Sequence, residues 1–405
     1  MPRPRKPQHD PVAIERWLDD AIVLDAGALV PVPDGSNLAA LDAKLARAPV
    51  VFLGETNHFV HEKVEFRLWW LSRLAAMRPL VVAEELSWFD GCLVADYLND
   101  GDEAHLHRLV TFGYRSDART DRNDEPTGVL KASAEAYPTA ALEAEQIRFY
   151  RALRRLGGVR RYFGFDTYGH DAGYVRLPVL LGESAVADEV TKGLQRVPGE
   201  SIEAEAARLE RTLAHLPRDT RLAAARHAVE VMVDGLRYSA LANRAPDYET
   251  LRPAMAFRED AMKRRLGHVM SELEPDDQLV LLGHAFHLAK HDAGIRGAGV
   301  GPGGGRVPSL GHHLVQERGV APFVVWMLYG AGEDSQPFPD LPGAAVYPDD
   351  SLNGLLAARG TARVTGAPPP GEWGVGHMYN QVVPVDLARE ADAVFFLPHV
   401  SPLHD

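Results

Sequence analysis

Apolar residues fall into blocks of strand length at 50–53, 80–83 and 162–165, and the stretches between them carry apolar positions at helical spacing, as over 66–77. A short uninterrupted apolar run bounded by glycine or charge is the pattern of a strand buried on both faces. Its alternation with helices marks an α/β core. Further blocks at 278–282, 323–328 and 393–397 extend the series. From 184 to 273 the texture changes to Ala, Leu, Glu and Arg with no strand-like block, which predicts helices over 203–216, 221–243 and 255–272. The expected architecture is one α/β hydrolytic domain over 1–405, a central, mostly parallel β-sheet flanked by helices. A helical subdomain, 184–273, is inserted within it and borders the active-site cleft. Two stretches, 115–126 and 294–305, are too rich in small and polar residues to order themselves by burial and read as loops, either lids or plain surface connections.

Composition narrows the function classes. The chain has 405 residues, 46% hydrophobic and 24% charged, a balance that supports a buried core. Its formal net charge of -13 repels phosphate backbones and anionic headgroups, so neither nucleic acid nor a membrane surface is an expected partner. Cys92 is the sole cysteine, which excludes an internal disulfide and any multi-cysteine metal site. With no apolar segment of signal-peptide or membrane-span length, the expected location is cytoplasmic. The oligomeric state is left open.

The chemistry concentrates at three strand ends. The block at 50–53 runs into Gly54-Glu55-Thr56-Asn57-His58, a carboxylate and an imidazole three residues apart at the carboxyl end of a strand, where α/β sheets bind ligands. An isolated Glu-x-x-His is equally a turn with a helix N-cap. The block at 80–83 runs into Glu84-Glu85, of which Glu85 stands before the expected turn and Glu84 suits a structural pairing with a neighbouring strand or an arginine. The third block ends in Gly283-His284-Ala285-Phe286-His287. If these strands lie side by side in parallel, the three ends converge on one constellation able to hold and activate water.

Other readings fail on spacing. His61-Glu62-Lys63-Val64-Glu65 opens like the zinc-peptidase helix motif, but Glu65 stands where the second histidine is required. Gly182-Glu183-Ser184-Ala185-Val186 lacks the closing glycine of a nucleophile elbow, and the glycines of 297–305 neither follow a strand nor open a helix.

Together these residues resemble the erythromycin esterase family, a group that takes in succinoglycan biosynthesis-like proteins. Its opening Gly-Glu-x-x-His is matched by 54–58 and followed by a helix carrying Arg67. Its strand ending in Glu with Trp three residues on is similar to Glu85-Leu86-Ser87-Trp88, and a further strand end to Tyr162-Phe163-Gly164-Phe165-Asp166. His284-Ala285-Phe286-His287 matches its His-x-x-His, and Ser309-Leu310-Gly311-His312-His313-Leu314 a helix start, so the likeness spans about 48–403. Thr56 and Asn57 depart from the small residue and threonine usual between Glu and His, and the Phe112-Gly113-Tyr114-Arg115 region lacks an aromatic continuation.

The resemblance implies an esterase or lactone hydrolase acting on a small molecule, such as a macrolide or another ester or lactone natural product, with no cofactor and no metal. It implies catalytic roles for His58, Glu55, Glu85, His284 and Arg67, and puts His287, Trp88, Asp166 and Tyr114 about the substrate. On that reading His58 is the general base with Glu55 or Glu85 orienting it, no covalent intermediate forms, and Arg67 and His284 meet the developing oxyanion. Arg67 could instead simply clamp Glu55. The same residue types also suit a divalent-metal-dependent hydrolase, a lyase or cyclase on a natural-product scaffold, or a binder without catalysis.

Overall fold

The computed structural model describes residues 10–25, 36–109, 139–182, 187–195, 197, 199–218, 222–245, 250–291, 307–335, 344–377 and 381–404. Both expected loops, 115–126 and 294–305, lie outside them, and so does Tyr114. In chain order the elements are α1 (Pro11–Asp19), β1 (Ile22–Leu24), α2 (Ser36–Arg47), β2 (Val50–Glu55), α3 (Glu62–Ala75), β3 (Leu80–Ser87), α4 (Trp88–Asp100), α5 (Thr139–Leu156) and β4 (Val159–Asp166). Then come α6 (Gly173–Leu181), α7 (Ala187–Leu194), α8 (Ile202–His215), α9 (Ala223–Ala242), α10 (Arg252–Ser271), β5 (Gln278–His284), β6 (Phe323–Glu333) and β7 (Ala344–Val346). The chain closes with α11 (Leu352–Ala357), β8 (Ala362–Gly366), β9 (Trp373–His377), β10 (Gln381–Val385) and β11 (Ala393–Val400).

The central sheet has the order β1-β8-β11-β6-β2-β5-β3-β4, with β7 on β6, and β9 and β10 form a separate hairpin. Its middle is parallel: β2 pairs with β5 and β6, and β11 with β6. The antiparallel pairs β1 on β8 and β8 on β11 form one side, and β7 pairs antiparallel with the far end of β6. An α/β fold with a mostly parallel sheet is thus what the alternating pattern predicted. Physically, β2, β3 and β5 are buried at every position, which is why each carries an unbroken apolar run of four residues.

Two boundaries differ from the sequence reading. β3 continues past Ala83 through Glu84 and Glu85 to Ser87, whose hydroxyl caps α4 by accepting from Asp90 N at 2.9 Å. The carboxylates are therefore inside the strand, each with a buried partner that makes the extension affordable. Helix α3 begins at Glu62, four residues before the apolar periodicity, because its first turn is polar with Glu62 and Glu65 at the favourable end of the dipole.

By contacts the chain divides into two compact units. One comprises Met1–Val82, Ala140–Arg160 and Leu273–Asp405, the other Ala83–Thr139 and Arg161–Glu272. The first holds most of the sheet, with Phe52, Leu53, Phe66, Trp70, Leu281, Trp326 and Phe395 fully buried. The second is built from α4 and α6–α10 around a core that joins Trp88, Phe89, Leu177, Leu209, Met232 and Leu236.

Candidate active site

In the first unit β2 and β5 lie in parallel register, with Gly54 opposite Gly283 and Glu55 opposite His284. The chain leaving β5 folds over the end of β2, where Ala285 N donates to Glu55 O at 2.8 Å. Gly54 is required by this approach: a Cβ there would stand 2.8 Å from the Ala285 Cα. The glycine before the glutamate is what lets two reactive strand ends close on each other.

Glu55 is fully buried, and Arg67 Nη2, from one turn inside α3, donates to its Oε1 at 2.8 Å. His58 Nδ1 lies 3.2 Å from the same oxygen. Among the described residues Oε2 has no hydrogen-bond partner. Burial alone would push the Glu55 carboxyl up, but Arg67, His58 and Lys63 outweigh it and hold its pKa down at about 2. Glu55 is therefore an anion at any ordinary pH and can only accept. It follows that His58 Nδ1 carries the proton of that contact, so that in the neutral ring the lone pair is on Nε2.

The turn carrying His58 is held from several sides. Thr56 donates to Met327 O at 3.0 Å, and Lys63 Nζ donates to His58 O at 2.9 Å. Asn57 Nδ2 donates to Tyr329 Oη at 2.8 Å and to Asp334 Oδ2 at 2.7 Å, while its Oδ1 accepts from Phe59 N at 2.9 Å. Sequence reasoning passed over Asn57 and Lys63. Only their closeness to His58 marked them, since the partners of Asn57 on β6 and beyond are over 270 residues away, at separations of 272 and 277.

His284 faces this turn, its ring centroid 5.1 Å from that of His58. Its Nδ1 accepts from Phe286 N at 3.2 Å, so in the neutral ring the proton sits on Nε2 and the side chain presents a donor. His287 is 7% exposed, with its centroid 6.2 Å from His284. The structure thus brings Glu55, His58, Arg67 and His284 together at adjoining strand ends.

The remaining expected site residues belong to the second unit. Glu84 and Glu85, adjacent on β3, point to opposite faces as a strand requires. Glu84 accepts from Tyr162 of β4, and Glu85 from Arg258 Nη2 at 2.7 Å. Arg258 of α10 also bonds Asp166, with Nε 2.8 Å from Oδ1, and lies over the Tyr168 ring with 4.9 Å to its centroid. Burial opposes its charge, yet Asp166 and Glu85 hold its pKa well above the usual guanidinium value. Trp88 opens α4 and packs edge-on against Phe89 and His227 in the helical core. An open cavity of about 830 Å³ in this unit is lined by Arg226, His227, Asp234, Arg264, Arg265 and His268, among others, and by none of the expected site residues.

Solved structures share this fold. A protein from Bacillus cereus covers 98% of this chain and 100% of its own at 15% identity, with a TM-score of 0.70. A succinoglycan biosynthesis protein gives 98% and 100% at 14% identity and 0.68. A mutant of the erythromycin esterase EreC in its open conformation covers 92% and 95% at 17% identity and 0.59. The chain has the erythromycin esterase fold. No protein-family model and no curated protein matches the sequence. At these identities the likeness establishes fold alone, so the chemistry must be argued from the residues themselves.

Proposed function

We propose that this chain is a hydrolase of ester or lactone substrates in which His58 acts as general base on water. The observation that carries the reading is the pairing of His58 Nδ1 with a Glu55 carboxylate locked in its ionised form by Arg67. Glu55 fixes the tautomer, so that Nε2 takes the proton as water adds to the carbonyl and returns it to the departing alkoxide. Ester plus water then gives acid plus alcohol with no covalent intermediate. His284, a donor through Nε2, is suited to the oxyanion of the addition step. Arg67 serves mainly as the clamp on Glu55, with charge close enough to assist. Glu85 is one of two carboxylates that neutralise the buried Arg258. The name of the similar erythromycin esterase makes macrolide lactones the first substrates to try.

The test is a panel of aryl, alkyl and macrolactone esters assayed by product mass with wild type and His58→Asn. Turnover of at least one ester is expected, lowered by about 10²–10⁴-fold in the variant, the span a positioned base contributes. Full activity in the variant, or no hydrolysis of any ester by wild type, would sink the reading.

A further inference from the structure

Three segments of the first unit that are remote in sequence meet outside the Glu55 site and bring together His61, Glu145 and His404. His61 precedes α3, Glu145 projects from α5, and His404 lies beyond β11. One ligand atom from each of the three lies within 4.8 Å of the others. His61 Nδ1 makes a short contact with Glu145 Oε1, and the His61 and His404 rings stack with centroids 3.8 Å apart. Glu145 is 2% exposed, whereas His61 is half-buried and His404 reaches the surface.

The backbone holds all three in place. His61 N donates to Ser401 O at 3.0 Å, Val60 and Pro402 form a β-bridge, and Glu62 accepts from Ser401 N at 2.9 Å and from its hydroxyl at 2.7 Å. His404 N donates to Glu145 Oε1 at 3.1 Å. Arg148 binds the other Glu145 oxygen at 2.9 Å but divides its charge with Glu65, also at 2.9 Å. Two carboxylates against one guanidinium leave the cluster one negative charge in excess. Two imidazoles with a carboxylate form a borderline donor set, matched to Zn²⁺, Co²⁺ or Ni²⁺ and not to Mg²⁺ or Ca²⁺, which take oxygen.

We propose that His61, Glu145 and His404 form a binding site for a first-row divalent transition-metal ion, distinct from the Glu55–His58 site, which staples 401–404 to the starts of α3 and α5. On binding, the short His61–Glu145 contact opens to admit the ion. Arg148 stays on the second carboxylate oxygen and orients it. The exposed side leaves a fourth position for water. The staple lies three residues from His58, so its occupancy bears on the rigidity of that turn. The inference does not depend on the hydrolytic reading.

The test uses the full chain with no affinity tag, stripped with chelator and titrated with Co²⁺ by visible absorption and with Zn²⁺ by calorimetry. One equivalent should bind to wild type and raise the melting temperature. Glu145→Gln and, as a surface change that spares the fold, His404→Ala should weaken binding by at least about tenfold, the loss that even an outer-shell partner causes. His58→Asn should bind as wild type does. Failure of wild type to bind, undiminished affinity in His404→Ala, or loss of binding in His58→Asn would each overturn the assignment, the last by moving the ion to the Glu55 site.

Discussion

Glu55 shows how single residues are tuned here. Its carboxyl lies at about 2 against an ordinary 4.5, so its folded pKa is depressed. A depressed carboxylate stabilises the fold above its unfolded value, and that contribution disappears as pH falls from 4.5 toward 2. The shift corresponds to about 3 kcal/mol. Glu55→Gln should therefore be less stable than wild type at neutral pH by a similar amount, and the gap should close through that acid window. Urea denaturation at several pH values measures it; two curves that stay parallel between pH 4.5 and 2 would contradict the role of the Arg67 clamp. The Glu55–His58 pair was legible in sequence because three residues separate the two groups. Arg258 was not, because its partner Glu85 lies 173 residues away and nothing local distinguishes it from other helical arginines.

At the scale of elements, close backbone approach governs the second unit as it does β2 and β5. A Cβ on Gly164 of β4 would stand 1.9 Å from Ser87 O, at the end of β3. Backbone cannot yield as a flexible side chain does, so Gly164→Ala should cost on the order of 1–3 kcal/mol or more, read as a lowered melting temperature. A variant as stable as wild type would show that these strand ends separate easily. The extension of β3 beyond its apolar block belongs here too. Charge at positions 84 and 85 reads as a strand terminus until Tyr162 and Arg258 supply buried partners.

On the scale of the molecule, neither unit is a continuous stretch of chain. Helices α6–α10 carry much of the second unit, yet their core takes in Trp88 and Phe89 from α4. Residues 161–272 expressed alone should therefore show no cooperative thermal transition by circular dichroism. A sharp melt with native-like aromatic signals would mean that the helices need no help from 83–139.

Local pattern alone determined the α/β class, the positions of the central strands, the long helices over 202–271 and the Glu-x-x-His at the end of β2, because burial on both faces and helical periodicity are written in neighbouring residues. Tertiary structure alone decided the strand order, the pairing of Glu55 with His284 across β2 and β5, and the ionic partners of Arg258. It also decided the meeting of His61, Glu145 and His404. Each of these depends on which distant segments share a neighbourhood, and a charged side chain looks the same in sequence whether its partner is water or a buried counter-ion.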